Sequence, residues 1–269
     1  MSVAAPKVRL RDLRRSFVLH GRTFEALDGV SLDITAGEFL AIVGPSGCGK
    51  TTMLRIVAGL DTQTHGTIEV VRAQPASRPV NSMVFQQESI FPWMTVRDNA
   101  AFGLKARGIG KRQRYAMVQP ILERAGLAGF ENALPYQLSG GMKQRVALAR
   151  AFANDPEILL MDEPFAALDE QTKLILQGEL LRIWEASGKT VLYVTHSIDE
   201  AITLADRVLV MSARPGRVKE IIDIAGIFSR PRDVAIVKSN PSYGELFARI
   251  WGELRNEVAA GANTIEQAA

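Results

Sequence analysis

The chain has 269 residues, 47% hydrophobic and 23% charged, enough for one main domain with a full core and a small appendage. Its formal net charge of +3 gives no support to nucleic-acid binding by bulk electrostatics, and its single cysteine, Cys48, excludes an intramolecular disulfide and suits a cytosolic compartment. No apolar run reaches the ~18 residues that a bilayer span needs, and the opening MSVAAPKVRL holds no apolar signal core.

Residues 8–72 alternate strand signals with turns, which predicts an antiparallel sheet beside a nucleotide-type core. Residues 26–34 read as one strand. Phe39-Leu40-Ala41-Ile42-Val43 is a short apolar run with β-branched residues and predicts a buried parallel strand. It runs into Gly44-Pro45-Ser46-Gly47-Cys48-Gly49-Lys50-Thr51, which fits G-x-x-x-x-G-K-[ST], and a helix is expected from Met53. Strand, glycine-rich turn and helix stand in the order that phosphate binding needs. Glycines let backbone N–H groups converge on phosphate oxygens, and the helix start adds partial positive charge. Lys50 is expected to reach the β- and γ-phosphates, and the Thr51 hydroxyl to hold Mg²⁺. Cys48 lies at a helix start, where a thiol pKa tends to fall. That predicts alkylation that ATP blocks; the competing expectation is a small residue that simply fits.

Helices are expected over 96–107, 113–125 and 142–153, punctuated by Gly108-Ile109-Gly110 and Gly126. Glu157-Ile158-Leu159-Leu160-Met161-Asp162 reads as a buried strand ending in two carboxylates, Asp162 and Glu163, with Pro164 stopping the ladder. Ligands bind at such carboxyl ends in open sheets. Asp162 is expected to bind Mg²⁺ through water, and Glu163 to orient or deprotonate the attacking water. The strand Thr190 to Thr195 ends at His196, a further polar strand end and a candidate γ-phosphate contact; His20 and His65 receive no role. After residue 226 the chain changes character. Ser229-Arg230-Pro231-Arg232 reads as a basic connector, and residues 243–258 as an amphipathic helix with Leu246, Ile250, Leu254 and Val258 at four-residue spacing. Residues 259–269 read as a disordered tail.

These motifs, in this order over roughly residues 8–225, resemble the ATP-binding subunits of ABC transporters. The pentad Leu138-Ser139-Gly140-Gly141-Met142 matches that family's signature. The resemblance implies that Ser139, Gly140 and Gly141 bind the γ-phosphate of ATP held by a second copy; the competing reading is that Ser139 merely caps its helix. Gln86 matches the glutamine loop, which contacts Mg²⁺ and the membrane partner, with Gln87 a weaker candidate. Ala167-Leu168-Asp169 matches the D-loop. Phe17 is the expected adenine-stacking aromatic, with Phe24 a competitor. Pro45, Ser46, Gly47 and Thr52 complete the implied phosphate loop. Thr51-Thr52 stands where Ser-Thr is frequent, and Lys143 where Arg is common.

The fold implied is α/β: a P-loop NTPase core with a mostly parallel sheet, an antiparallel β subdomain and a helical signature subdomain at about 95–155. The ATP-binding domain is expected over 1–225 and a helical extension and tail over 226–269. Residues 138–150, 91–99 and 212–218 resemble the nitrate/sulfonate/taurine importers in particular. That implies ATP and Mg²⁺ as cofactors and a second copy and two membrane-spanning permease subunits as partners. A periplasmic or lipid-anchored solute-binding protein would act indirectly. The site would be peripheral, at the cytoplasmic face of a bacterial membrane. The apolar patch Ser89-Ile90-Phe91-Pro92-Trp93-Met94 is the expected groove for a permease helix, against the alternative of packing within the helical subdomain. Three further readings compete. A soluble, non-transport ABC ATPase typically carries two nucleotide domains, a zinc insertion or a long coiled coil. A non-hydrolysing module would not need Lys50, Asp162, Glu163 and His196 intact. The importer-like strings disfavour an exporter subunit.

Overall fold

The computed structural model describes residues 5–19, 21–72, 78–86, 89–166 and 168–266, and side chains up to 257. His20, Gln87, Ala167 and residues 267–269 lie outside the described residues. The chain opens with β1 (Pro6–Leu19), β2 (Arg22–Thr35), β3 (Phe39–Val43), α1 (Lys50–Val57), β4 (His65–Val70) and β5 (Asn81–Val84). Helices follow: α2 (Val96–Ala100), α3 (Phe102–Ala106), α4 (Lys111–Arg124) and α5 (Gly140–Ala153). Then come β6 (Ile158–Asp162), α6 (Glu170–Ser187), β7 (Thr190–Val194), α7 (Ile198–Leu204), β8 (Arg207–Met211), β9 (Val218–Asp223), α8 (Val234–Ser239) and α9 (Pro241–Glu266). They divide into two compact units, residues 1–72 with 185–269, and residues 73–184.

In the first unit β3 pairs in parallel with both β7 and β8, and β9 closes the edge antiparallel to β8. Every residue of β3 and β7 is buried. This is why both strands read as continuous apolar runs rather than alternating ones. A separate antiparallel sheet runs β2-β1-β4. Its β1–β2 hairpin pairs Phe17 directly with Phe24. Leu10, Leu13, Leu27 and Ile34 face its core with no exposed surface.

The C-terminal segment belongs to this unit. Leu246 and Ile250 are buried and Leu254 is half-buried while Trp251 is exposed, so α9 is amphipathic over these residues; the Val258 side chain lies outside the described residues. The helix does not end at 258. Its backbone continues to Glu266, where the alanines at 259, 260 and 262 favour the helix and Gly261, Asn263 and Thr264 do not. The sequence also gave no signal strong enough for α8, which Asp233 caps by accepting from the amides of Ala235 and Ile236. The supposed connector is not a loose linker: Arg230 and Arg232 both close on the buried carboxylate of Asp206.

In the second unit β5 and β6 run parallel. The helices α2 to α5 enclose an apolar cluster that includes Val96, Leu104, Val118, Leu122, Leu138 and Val146. The helix expected over 96–107 is two short helices, because Ala101 leaves the helical region at φ −84°, ψ 1°. No helix among the described residues is long and apolar enough to cross a membrane.

Candidate nucleotide site

In the first unit β3 delivers the glycine-rich turn straight onto α1. The helix starts at Lys50, three residues earlier than expected, so Lys50 and Thr51 occupy its first turn. The amides of a first turn have no partner within the helix, which suits an anion. Gly49 has φ 98°, and a Cβ there would lie 2.6 Å from the Ala26 carbonyl oxygen; no other residue fits. Lys50 is buried, and its Nζ donates to the carbonyls of Gly44 and Pro45 at 2.8 and 2.9 Å. The ammonium is thus folded onto its own loop. Ser46, Gly47 and Thr51 are exposed.

Cys48 overturns one expectation. The thiol is 1% exposed, and burial pushes its pKa up despite the attraction of Lys50. Desolvation of a thiolate outweighs both the helix start and the nearby ammonium. The side chain is a packing residue, shielded from alkylation.

Residues 212–217, which the sequence offered only as a subfamily string, pack against the phosphate loop. Gly216 donates its amide to the Ala26 carbonyl at 3.0 Å and accepts from the Asp28 amide at 3.0 Å. A Cβ on Gly216 would overlap the Cys48 carbonyl oxygen. The Arg214 guanidinium lies 4.9 Å over the Phe24 ring, and Arg15 lies 4.4 Å over Phe17. Phe17 is the more exposed of the two rings. His196 follows β7 after one residue and is exposed.

In the second unit the parallel register pairs Val84 with Met161. Two residues further on, Gln86 and Glu163 therefore stand at matching heights. The Gln86 Nε2 donates to Glu163 Oε2 at 2.8 Å. Glu163 has φ 47°, the left-handed region that a glutamate rarely adopts. Such strain concentrates where a side chain must be aimed. Asp162 ends β6 and is 4% exposed. The oxygen set expected for Mg²⁺ fits a hard cation that keeps waters and substrate phosphates as ligands. Its members in this unit are the Asp162 carboxylate and the Gln86 carbonyl oxygen, whose amide nitrogen is already engaged; Thr51 belongs to the first unit. No cluster of three or more His, Cys, Asp or Glu that could hold a metal ion is found among the described residues.

The signature string begins α5 at Gly140, two residues before the expected start. Ser139 is the N-cap, its Oγ accepting the Met142 amide at 3.3 Å. Gly140 is exposed, with nothing within 4 Å of where its Cβ would be. Gly141 faces Thr172 and Leu168. Asp169 accepts the Thr172 amide at 2.9 Å, and this backbone bond pulls its carboxyl below the usual range. In the apolar patch the Phe91 ring packs tilted against Phe102, centroids 4.5 Å apart, while Trp93 is 73% exposed. Asn99, which the sequence offered only as the end of an importer-like string, is fully buried and holds the patch. It accepts from the Phe91 amide and donates to the carbonyls of Phe91, Met94 and Thr95.

The family model for ABC transporters matches residues 27–166. An uncharacterized ABC transporter ATP-binding protein of Methanocaldococcus jannaschii is 50% identical over 94% of this chain and 92% of its own. A taurine import ATP-binding protein of Roseobacter denitrificans is 43% identical over 90% and 92%. A nitrate import ATP-binding protein of Synechocystis is 47% identical over 81% and 82%. Among solved structures, a dimeric ATP-binding cassette in a post-hydrolysis state with ADP and phosphate has a TM-score of 0.73 and 34% identity, covering 81% of this chain and 98% of that one. With its phosphate loop, strand-end carboxylates and capped signature helix in one chain, this protein belongs to the ABC transporter family as an ATP-hydrolysing, ATP-binding subunit.

Proposed function

We propose that this subunit powers import of a small anion or organic solute, in the class of nitrate, sulfonates or taurine. Its relatives named for nitrate and taurine import support that reading. Two copies would act together, as in the dimeric cassette above. They would dock on two separate permease subunits at the cytoplasmic face of the membrane. A periplasmic or lipid-anchored solute-binding protein would deliver the cargo. Residues 1–225 are the ATP-binding domain in this reading, and residues 226–269 an extension.

Residues 44–52 cradle the phosphates, Lys50 turns from its own carbonyls to the β- and γ-phosphates, and Phe17 stacks on adenine. Mg²⁺, when bound, neutralises phosphate charge through Thr51, Asp162 and Gln86. Ser139, Gly140 and Gly141 of one copy meet the γ-phosphate held by the other, with Asp169 at the interface between copies. Glu163 aims the water, and His196 contacts the γ-phosphate as charge develops. The Trp93 patch receives a permease helix.

The observation that carries hydrolysis is Glu163 itself, a carboxylate on a left-handed backbone, steered by Gln86 at 2.8 Å. In Glu163→Gln, ATP still binds, turnover falls at least about 100-fold, and the protein elutes as a nucleotide-loaded dimer. Wild-type phosphate release from that variant refutes the assignment.

A further inference from the structure

Glu200 is a buried carboxylate that the scheme above does not use. It is 4% exposed. Its Oε2 accepts the hydroxyls of Tyr193 and Thr195, each at 2.7 Å. No cation pairs with it among the described residues. An unpaired buried carboxylate is a costly way to fill space, and an apolar side chain of similar size packs more cheaply. Its bonds show what it does instead.

Both donors lie on the segment that presents His196. Thr195 immediately precedes it, and its amide donates to the Ile42 carbonyl of β3 at 3.2 Å. The Thr195 hydroxyl, while donating to Glu200, accepts the amide of Ser197 at 3.0 Å. Ser197 in turn caps α7, its Oγ accepting the Glu200 amide at 3.3 Å. The bonds form a closed ring, Thr195 to Ser197 to Glu200 and back to Thr195, with His196 at its open corner. The backbone amides of Thr195 and Ser197, the residues on either side of His196, are both held, while His196 is exposed. Tyr193, with no exposed surface, anchors the carboxylate from inside the sheet.

We propose that Glu200 is the positioning residue for His196, holding the imidazole where a γ-phosphate arrives; this rests on the reading of His196 as the γ-phosphate contact. Glu200 orients the backbone and does not touch the nucleotide. Its loss therefore lowers turnover rather than ATP affinity, and only as long as His196 is present.

The test is steady-state ATP hydrolysis by the full chain, with kcat and KM separated, for Glu200→Ala, Glu200→Gln, Thr195→Val and His196→Ala, each alone, and Thr195→Val combined with His196→Ala. Thr195→Val removes both bonds of the ring hydroxyl at nearly constant volume, so it keeps the test alive where Glu200→Ala fails to fold. Expected are a kcat about tenfold or more lower for Thr195→Val with KM for ATP unchanged within about twofold, as for a misplaced group. Glu200→Gln, which keeps an acceptor oxygen, recovers most of the kcat lost in Glu200→Ala. Thr195→Val costs nothing further in the His196→Ala background. An equal loss in both backgrounds, or wild-type kcat in Thr195→Val, overturns the inference while a crippled His196→Ala leaves the reading of His196 standing. Wild-type turnover in His196→Ala removes that reading, and the inference with it.

Discussion

Gly216→Ala tests whether residues 212–217 are part of the nucleotide site or only cover it. The added methyl would overlap the Cys48 carbonyl oxygen and press on the Met211 methyl. Met211 ends in a flexible group and can turn away, but Cys48 offers backbone. Real Cβ contacts need at least 3.0 Å, so the loop or the glycine must give by about 1 Å. The glycine cannot retreat freely, because its own N–H and C=O are both bonded to the strand at Ala26 and Asp28. The phosphate loop therefore moves. Overpacking of this kind costs about 1–3 kcal/mol, several degrees in Tm for a chain of this size. A 1 Å misplacement of binding groups costs about 100-fold in kcat/KM. Titration with a fluorescent ATP analogue and phosphate release at saturating ATP measure the two parts. Gly178→Ala is the control: nothing lies within 4 Å of that site inside α6, and helix propensity gains about 0.5–1 kcal/mol. A folded Gly216→Ala protein with parental ATP affinity and turnover would show that residues 212–217 do not set the loop.

Asp206→Ala leaves Arg232, whose side chain has no exposed surface, without its carboxylate, and the Phe39 amide without its 2.9 Å acceptor. A stability loss of about 3–5 kcal/mol in urea is expected; under about 1 kcal/mol would mean that Arg232 finds solvent. Tyr243 donates to Asp199, and burial pushes its phenol pKa up. The folded state thus keeps a proton that the unfolded state loses near pH 10. Stability contributed by this hydroxyl is complete below about pH 10 and declines as pH rises further. Tyr243→Phe should flatten that alkaline decline in Tm, and an unchanged slope would assign it to other groups. Trp93→Glu should leave ATP binding intact and reduce copurification of the permease subunits; undiminished recovery of the complex would remove the patch as their dock.

Residues whose chemistry demands contiguity were legible in the sequence. The phosphate loop and the signature need consecutive amides at a helix start, so their spacing survives without a structure. Gln86 and Glu163 were each legible singly, but their bond was not. It depends on β5 pairing β6 with Val84 beside Met161, and sequence does not state strand register. Arg230 and Arg232 were misread because arginine is normally solvated. Their partner Asp206 is 26 and 24 residues away from Arg232 and Arg230, respectively, with no local pattern to mark it. Cys48 was legible only as two alternatives, a reactive thiol or a small residue that fits, for a related reason. The motif announces a helix start and a nearby ammonium, but not the burial of the thiol, nor the packing of Met211 against Gly44 and of Gly216 against the Cys48 carbonyl.

That packing depends on a lock at the other end of the same two strands. Glu38, just before β3, accepts from Arg207 at the start of β8 at 2.6 Å. Asp206, just before β8, accepts from the amide of Phe39 at the start of β3 at 2.9 Å. Each strand's entry carboxylate thus holds the first residue of its neighbour. The two strands are too uniformly apolar for side-chain alternation to choose their register: every residue of β3 is buried, as are Val208 to Met211. A slip that would be penalised in a half-exposed strand costs little in core contacts here. The paired carboxylates supply the missing specification, since a slip by one residue would strand both in a buried site. Register fixed at that end carries through the five residues of β3 to Gly44 and along β8 to Met211. It sets how closely Gly216 meets Cys48. The buried charges remote from the nucleotide residues therefore specify the phosphate loop's position, by fixing which residue of β8 lies beside which residue of β3.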